Sequence, residues 1–367
     1  MKVQVTQENL NRALGAVARV ANTRNALPIL ANVLVKTVDN RLCLSATNLD
    51  IAISYFTGAK VETEGSITVP ARLMQDFVGS LPGGVINLKL EENKLHVNTD
   101  QYKSTINGIA ADDFPTLPAI EDGKTWTLPA ADFKKALQQV LFAASSDESR
   151  PVLTGVYLHT EGGRLYMAAT DSYRLAEKDL GANSHEISLL IPASAMQDLL
   201  RILADDGEIT VTHNDQQALF KVGDVELTTR LVEGKYPPYR KLIPSDFATE
   251  ISLKKADFIN VTKVSSLFAR ESAGSVTLEV LADGGEDGTG ALSIRSIASQ
   301  LGENTAVATG PAQGSGSITL NSRYLLDALG ALSGDEVIFG FNGKLEPTLL
   351  RDPKAADYVH IVMPLKS

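Results

Sequence analysis

The most chemically dense stretch of this 367-residue chain is AATDSYRLAEKDL, residues 168–180. Thr170, Asp171, Ser172, Tyr173 and Arg174 follow one another directly after the apolar, strand-like RLYMA. Asp171 beside Ser172 and Arg174 suits acyl or phosphoryl chemistry. The same cluster also suits a ligand pocket or a polar turn. A serine nucleophile needs a base, and no histidine lies near it in sequence. His96, His159, His185, His213 and His360 are the chain's five histidines. None pairs with another at metal-ligand spacing, and HEIS (185–188) lacks the second histidine of H-E-x-x-H. No G-x-x-x-x-G-K-[ST] loop and no G-x-S-x-G elbow is present; GFNGKLE (340–346) lacks the first glycine spacing and the hydroxyl that would hold magnesium. GSGS (314–317) reads as a flexible loop tip. The single cysteine, Cys43, lies in the alternating LCLSA and reads as a buried structural thiol. No metal site and no cofactor is expected.

One cysteine excludes an internal disulfide framework and fits a reducing, cytoplasmic setting. Apolar residues make up 44% and aromatics 6%, so the core must be aliphatic. No secretory signal precedes VQVTQENL, and no run of about 18 apolar residues predicts a membrane span. The net charge is −10. Taken alone, that argues against nucleic acid as a partner.

The elements that must position the cluster recur three times. ITVPARLMQDF (67–77), LLIPASAMQDLL (189–200) and ITLNSRYLLDAL (318–329) align, with Asp76, Asp198 and Asp327 in register. TQENLNRALGAV, PAADFKKALQQV and KKADFINVTKV align through Leu10, Phe133 and Phe258. RLCLSATNLDIAI matches RLYMAATDSYRLA, and Thr47 matches Thr170; DFPTLP (113–118) matches KYPPYRKLIP (235–244). Shared spacing across independent markers predicts three domains, 1–122, 123–247 and 248–367. EDGKT (121–125) reads as a linker, and ADGGEDGTG (282–290) as an inserted hairpin loop. Each repeat reads as two βαβββ halves, an α+β arrangement with helices over antiparallel sheet. ENK, NDQQ and NGK read as hairpin turns.

Charge separates the helices from the rest. Six segments, 7–20, 71–80, 130–143, 193–204, 253–270 and 322–333, are expected to be helical. They carry Arg12, Arg19, Arg72, Lys134, Lys135, Arg201, Lys254, Lys255, Lys263, Arg270 and Arg323 against six acids, a net of +5. The remainder nets −15. If the helices share a surface, it attracts phosphate without reading bases, although solvated faces carry such charges anyway.

LPILANVLV (27–35), VPARLMQDFVGSLP (69–82), ATDSYRLA (169–176), LVEGKYPPYRKLIP (231–244) and YVHIVMPLKS (358–367) together resemble the β sliding clamps of bacterial DNA polymerase III. The resemblance implies the DNA-clamp fold, closed head to tail as a homodimeric ring with helices inside and sheets outside. It implies a non-catalytic processivity factor around double-stranded DNA. Arg12, Arg19, Arg24, Arg72, Lys134, Lys135, Arg201, Lys254, Lys255, Lys263 and Arg323 would face the DNA. Asp147 and Glu148 stand where that family has a polar DNA-facing loop.

The resemblance also implies a pocket for short linear peptides from the polymerase III catalytic subunit, the clamp loader, other polymerases and repair proteins. Its first part would use Leu153, Thr170, Ser172, Tyr173, Arg174, Leu175, Pro237, Lys241, Leu242, Ile361 and Met363. Its second part would use Arg150, Asn321, Tyr324, Leu345, Pro347, Pro364 and Leu365. Ser172 and Tyr173 replace a common Gly-His pair, Lys241 stands where arginine is frequent, and Pro151 and Val152 stand where aromatics occur. Ile106, Leu267 and Phe268 match apolar dimer-interface positions. A hydrolase built on Asp171 and Ser172, and a purely structural repeat protein, are the alternatives.

Overall fold

The computed structural model describes residues 1–21, 27–115, 119–283, 285, 289–298 and 302–365. In the first third, β1 (Lys2–Thr6) leads into α1 (Gln7–Val17), then β2 (Asn32–Val38), β3 (Arg41–Thr47) and β4 (Ile51–Thr57). After a short β5 (Lys60–Thr63), β6 (Ser66–Pro70) leads into α2 (Ala71–Ser80), β7 (Val85–Glu91), β8 (Lys94–Asn98) and β9 (Lys103–Asn107). The middle third repeats this with β10 (Lys124–Pro129), α3 (Ala130–Val140), β11 (Gly155–Glu161), β12 (Arg164–Thr170) and β13 (Arg174–Ala182). Its second half is β14 (Ser188–Pro192), α4 (Ala193–Ile202), β15 (Glu208–His213), β16 (Gln217–Val222) and β17 (Val225–Arg230). The last third holds β18 (Thr249–Lys254), α5 (Lys255–Phe268), β19 (Ser275–Leu281), β20 (Gly290–Ala298) and β21 (Gly302–Gly310). It ends with β22 (Ala312–Gln313), β23 (Gly316–Asn321), α6 (Ser322–Ala331), β24 (Glu336–Phe341), β25 (Thr348–Asp352) and β26 (Ala355–Val362).

The βαβββ half therefore recurs six times, with β5 and β22 as additions. Its hydrophobic pattern explains why. Leu10, Phe133 and Phe258 sit at one position of α1, α3 and α5, and all three are fully buried. Alternation with period two buries one face of each flanking strand, as in Val3 and Val5 of β1. Thr6 caps α1 by accepting a bond from Asn9 N, and Asn321 caps α6 through Arg323 N and Tyr324 N.

Contacts divide the chain into two compact units. One comprises 1–134 with 194–231, and the other 135–193 with 232–367. The first contains a five-stranded sheet, β5-β1-β7-β8-β9, and an eight-stranded sheet, β10-β15-β16-β17-β4-β3-β2-β6. The second contains a nine-stranded sheet, β14-β11-β12-β13-β26-β25-β24-β18-β22, and a four-stranded sheet, β21-β20-β19-β23. Both large sheets join strands from two successive repeats. In one, β17 pairs with β4 from Val225↔Tyr55 to Thr229↔Ile51; in the other, β13 pairs with β26 from Arg174↔Val362 to Lys178↔Tyr358.

Some local expectations shift. NGK is not a tight hairpin turn: β24 and β25 pair, but a six-residue loop, 342–347, joins them. GSGS is not a free loop tip. Gly314, at φ +69, passes so close to Ala248 O that a Cβ there would sit 2.0 Å away, and Gly316 and Ser317 already belong to β23. Arg19 and Arg270 lie just past the ends of α1 and α5, and Lys254 ends β18.

Candidate functional site

The corner between β12 and β13 is closed by its own side chains. Thr170 Oγ1 donates to Arg174 O (2.6 Å) and accepts from Ser172 N (3.1 Å). Asp171 Oδ1 accepts from Tyr173 N and Arg174 N, both at 2.9 Å. Ser172 is held at φ +77. The first repeat builds the same turn between β3 and β4. Thr47 Oγ1 donates to Ile51 O (2.9 Å) and accepts from Leu49 N (3.1 Å), and Asn48 Oδ1 accepts from Asp50 N and Ile51 N. Leu49 sits at φ +81. Thr and Asx side chains replace strand hydrogen bonds here, as such residues do in tight turns. Asp171 therefore does the work of Asn48. Its second oxygen takes Arg174 Nε (3.1 Å), and Ser172 Oγ accepts from Arg150 Nη1 (3.1 Å). The carboxylate is committed to the turn and to Arg174, so the cluster is not a nucleophile with its base.

Arg174 is the most connected side chain of the corner. It is 12% exposed and donates to Asp327 Oδ2 and to Phe142 O, both at 2.6 Å. Its guanidinium lies 5.2 Å from the Phe142 ring centre and 4.6 Å from that of Tyr324. Below it, Phe142 stacks on the fully buried His360 at 5.5 Å. Tyr358 donates its proton to Gln139 O (3.0 Å), so its oxygen accepts from His360 Nδ1 (3.1 Å). Burial first, and the Arg174 charge second, push His360 down to a pKa of about 3.

A cavity of ≈ 350 Å³ opens beside the corner, lined among others by Arg150, Leu153, Tyr173, Arg174, Arg323 and Tyr324. Asp147 and Asp171 also face it. Met363 N donates to Tyr173 O (2.8 Å), which brings the chain after β26 against the corner. There an apolar cluster of Ala168, Leu175, Leu190, Tyr236, Tyr239, Leu349 and Ile361 forms, with Val152 and Met363 packed on it. Leu175 and Ile361 are direct cross-strand partners. Tyr173, at 59% exposed, and Leu242, at 51%, stand at the surface, and Pro237 and Lys241 are also exposed.

Not every expected pocket residue joins this group. Leu345 and Pro347 occupy the loop 342–347, outside both the cavity lining and the apolar cluster. Asn321 is committed to capping α6 and to Ala273 O. Leu365 N donates to Thr319 O on β23, and Pro364 precedes it, half-buried. Arg323, expected to face DNA, is exposed and also lines the cavity. Sequence reasoning missed Tyr236, Tyr239, Leu190, Leu349 and Phe142. KYPPYRKLIP was read as a repeat marker and as part of the family resemblance, which named Pro237, Lys241 and Leu242 but neither tyrosine. Asp327 carried a signal too, its register with Asp76 and Asp198.

Those expected DNA-facing cations that lie among the described residues are exposed or half-buried. Several pair locally: Arg12 with Glu8 (2.7 Å), Arg72 with Asp76 (3.9 Å), Lys134 with Asp205 (2.7 Å) and Arg201 with Asp198 (2.7 Å). Such exposed pairs are weak and leave the cations available to a polyanion. Burial raises the Asp198 carboxyl above its ordinary value, with Arg201 and Arg19 opposing. Arg12, Arg19 and Arg201 line a cleft of ≈ 940 Å³ in the first unit. Lys255 Nζ donates to Leu332 O (2.9 Å), while Lys135, Lys254 and Lys263 are exposed. Arg24 lies outside the described residues. Of the expected interface residues, Ile106 is buried within its own sheet, Phe268 is half-buried and Leu267 is 52% exposed. Cys43 is buried, and burial raises its thiol. Among the described residues no His, Cys, Asp and Glu cluster could hold a metal ion, and no helix is long and apolar enough to cross a membrane.

Three family models cover nearly the whole chain. They are the N-terminal, central and C-terminal domains of the DNA polymerase III beta subunit, matched at residues 1–118, 127–238 and 240–366. The chain belongs to the DNA polymerase III beta subunit family. The beta sliding clamp of Synechocystis sp. is 32% identical, over 100% of this chain and 99% of its own. The solved sliding clamp of Bacillus subtilis superposes with a TM-score of 0.93 at 28% identity, covering 100% and 99%. A Pseudomonas aeruginosa sliding clamp solved bound to griselimycin gives 0.94 at 26% identity, covering 100% of both chains. This family member is a DNA sliding clamp, with the α+β clamp fold and no catalytic role.

Two outcomes follow from the corner. Arg174→Ala strands Asp327 and the Phe142 carbonyl, and should cost about 3 kcal/mol in urea unfolding; Arg174→Lys should recover little of it, because an ammonium reproduces neither the fork nor the stacking. His360 is neutral in the fold, and its folded value lies below the ordinary value of about 6.5. Its contribution is complete above about pH 6.5 and is lost as pH falls toward about 3. Stability measured against pH should therefore decline on the acid side, less steeply in His360→Phe.

Proposed function

We propose that two copies of this chain close head to tail into a ring around duplex DNA. Each contributes three repeats, 1–122, 123–247 and 248–367. The five-stranded sheet ends at β9 and the four-stranded sheet at β21, and edge strands offer unpaired backbone groups to a partner strand. Leu267 and Phe268 at the end of α5 would add apolar contact, while Ile106, buried on β9, would back that edge from within its own sheet. The cations of the six helices would meet DNA phosphates without reading sequence, in the cytoplasm. Weak, salt-sensitive phosphate contact suits a ring that must slide.

The pocket beside the Thr170–Arg174 corner would receive short linear peptides from the polymerase III catalytic subunit, the clamp loader, other polymerases and repair proteins. The observation that carries this reading is the doubled turn. Two repeats build one backbone corner, yet in the second copy Ser172, Tyr173 and Arg174 stand over an apolar cluster containing Leu175 and Ile361. Apolar walls with a polar rim suit Leu and Phe anchors on an extended peptide.

Loaded onto closed circular DNA, the ring should stay bound until the DNA is linearised and then slide off; equal retention on both forms would refute topological binding. Met363→Ala should weaken a Leu- and Phe-containing peptide about tenfold by calorimetry, with the dimer mass unchanged.

A further inference from the structure

Pro237, Lys241 and Leu242 belong to one short segment, and between them Tyr239 and Arg240 reach a carboxylate on the sheet. Tyr236 and Tyr239 are buried. Tyr239 donates its phenolic proton to Glu177 Oε2 on β13 (2.5 Å). A phenol has one proton, so the same oxygen accepts from His159 Nε2, 2.7 Å away on β11. The next residue, Arg240, forks the same carboxylate through Nε (2.8 Å) and Nη2 (3.0 Å), and its guanidinium lies 3.7 Å from the Tyr166 ring centre. Stacking fixes the imidazole: Tyr157 lies 4.6 Å from it, nearly parallel, and Tyr166 lies 5.7 Å away. Tyr157 stacks in turn on Tyr236 at 4.8 Å. Two consecutive residues of the segment thus converge on one buried carboxylate, two positions along β13 from Leu175.

The arrangement is stiffer than packing alone would need. Apolar contact would hold the segment down but would leave its height free to vary. The Tyr239 hydroxyl sets a fixed distance between Pro237 and Leu242 above and β13 below. We propose that Tyr239 is a positioning residue of the peptide pocket: bonded to Glu177 and His159, it fixes the Pro237–Leu242 wall over Leu175 and Ile361, although the hydroxyl touches no peptide. The proposal rests on the peptide-pocket reading above and names a buried hydroxyl, bonded away from the cluster to Glu177 and His159, as a determinant of affinity.

The full-length protein is titrated with griselimycin, which the Pseudomonas aeruginosa relative is solved with, and with a Leu- and Phe-containing peptide. Tyr239→Phe keeps the ring and removes the hydroxyl. His159→Phe keeps the stacking and removes the donor, and His159→Gln restores a donor. Tyr239→Phe and His159→Phe should each weaken both ligands about fivefold, the worth of one hydrogen bond, mainly through faster dissociation. The double variant should be no weaker than either single one, and His159→Gln should recover part of the loss. A merely structural role would lower the melting temperature in all variants and leave the dissociation rate unmoved. Unchanged affinity in Tyr239→Phe while Met363→Ala weakens binding overturns the positioning role and leaves the pocket standing. Unchanged affinity in both variants overturns the pocket reading and this proposal together.

Discussion

The antiparallel ladder between β13 and β26 is the constraint on which the candidate site depends. It runs from Arg174↔Val362 to Lys178↔Tyr358 and pairs Leu175 directly with Ile361. Without it, the corner and the carboxy-terminal strand would be unrelated surfaces. With it, Met363 meets the Tyr173 carbonyl, and Arg174 can reach Asp327 on α6 while still bonded to Asp171. The first unit contains the same device, in which β17 pairs with β4. Sequence repeats and hydrogen-bonded sheets are therefore out of phase: the middle third gives β10 and β15–β17 to the sheet of one compact unit and β11–β14 to that of the other.

That offset explains what could be read from the sequence and what could not. Within a half, hydrophobic period and helix starts are local properties, so all six helices and the βαβββ order were legible from Leu10, Phe133, Phe258 and their neighbours. Which half joins which is a property of backbone pairing between distant strands. No side-chain pattern in β4 names β17 as its neighbour. The pocket divides along the same line. Leu175, Ile361 and Met363 were legible through family resemblance. Tyr236 and Tyr239 were hidden, because their role depends on a cover segment folding back over β11 and β13. NGK illustrates the opposite case: it looked like a tight turn, but the actual loop is six residues long and carries Leu345 and Pro347.

The three register aspartates show how one inherited position acquires different electrostatics. Asp76 stands 3.9 Å from Arg72 on a largely exposed face, where the pair contributes little. Asp198, partly buried, faces Arg201 and has its carboxyl raised by desolvation. Asp327, on α6, receives Arg174 from β13 and closes the stack of Phe142, Arg174 and Tyr324. Local sequence around the three is similar. Their surroundings, supplied by elements far away in the chain, decide which is a bystander and which anchors a site.

The turn shared by Thr47–Ile51 and Thr170–Arg174 has an evolutionary consequence. Its backbone is satisfied by a threonine and the Asx side chain next to it, so the side chain of the residue that follows them is not needed to close the turn. Leu49 and Ser172 occupy the same left-handed position with unlike side chains. A duplicated repeat can thus change its exposed residues one at a time without first inventing a new loop. On the proposed reading, recognition sits on a turn that is already closed by its own side chains, and novelty at the corner requires only substitutions.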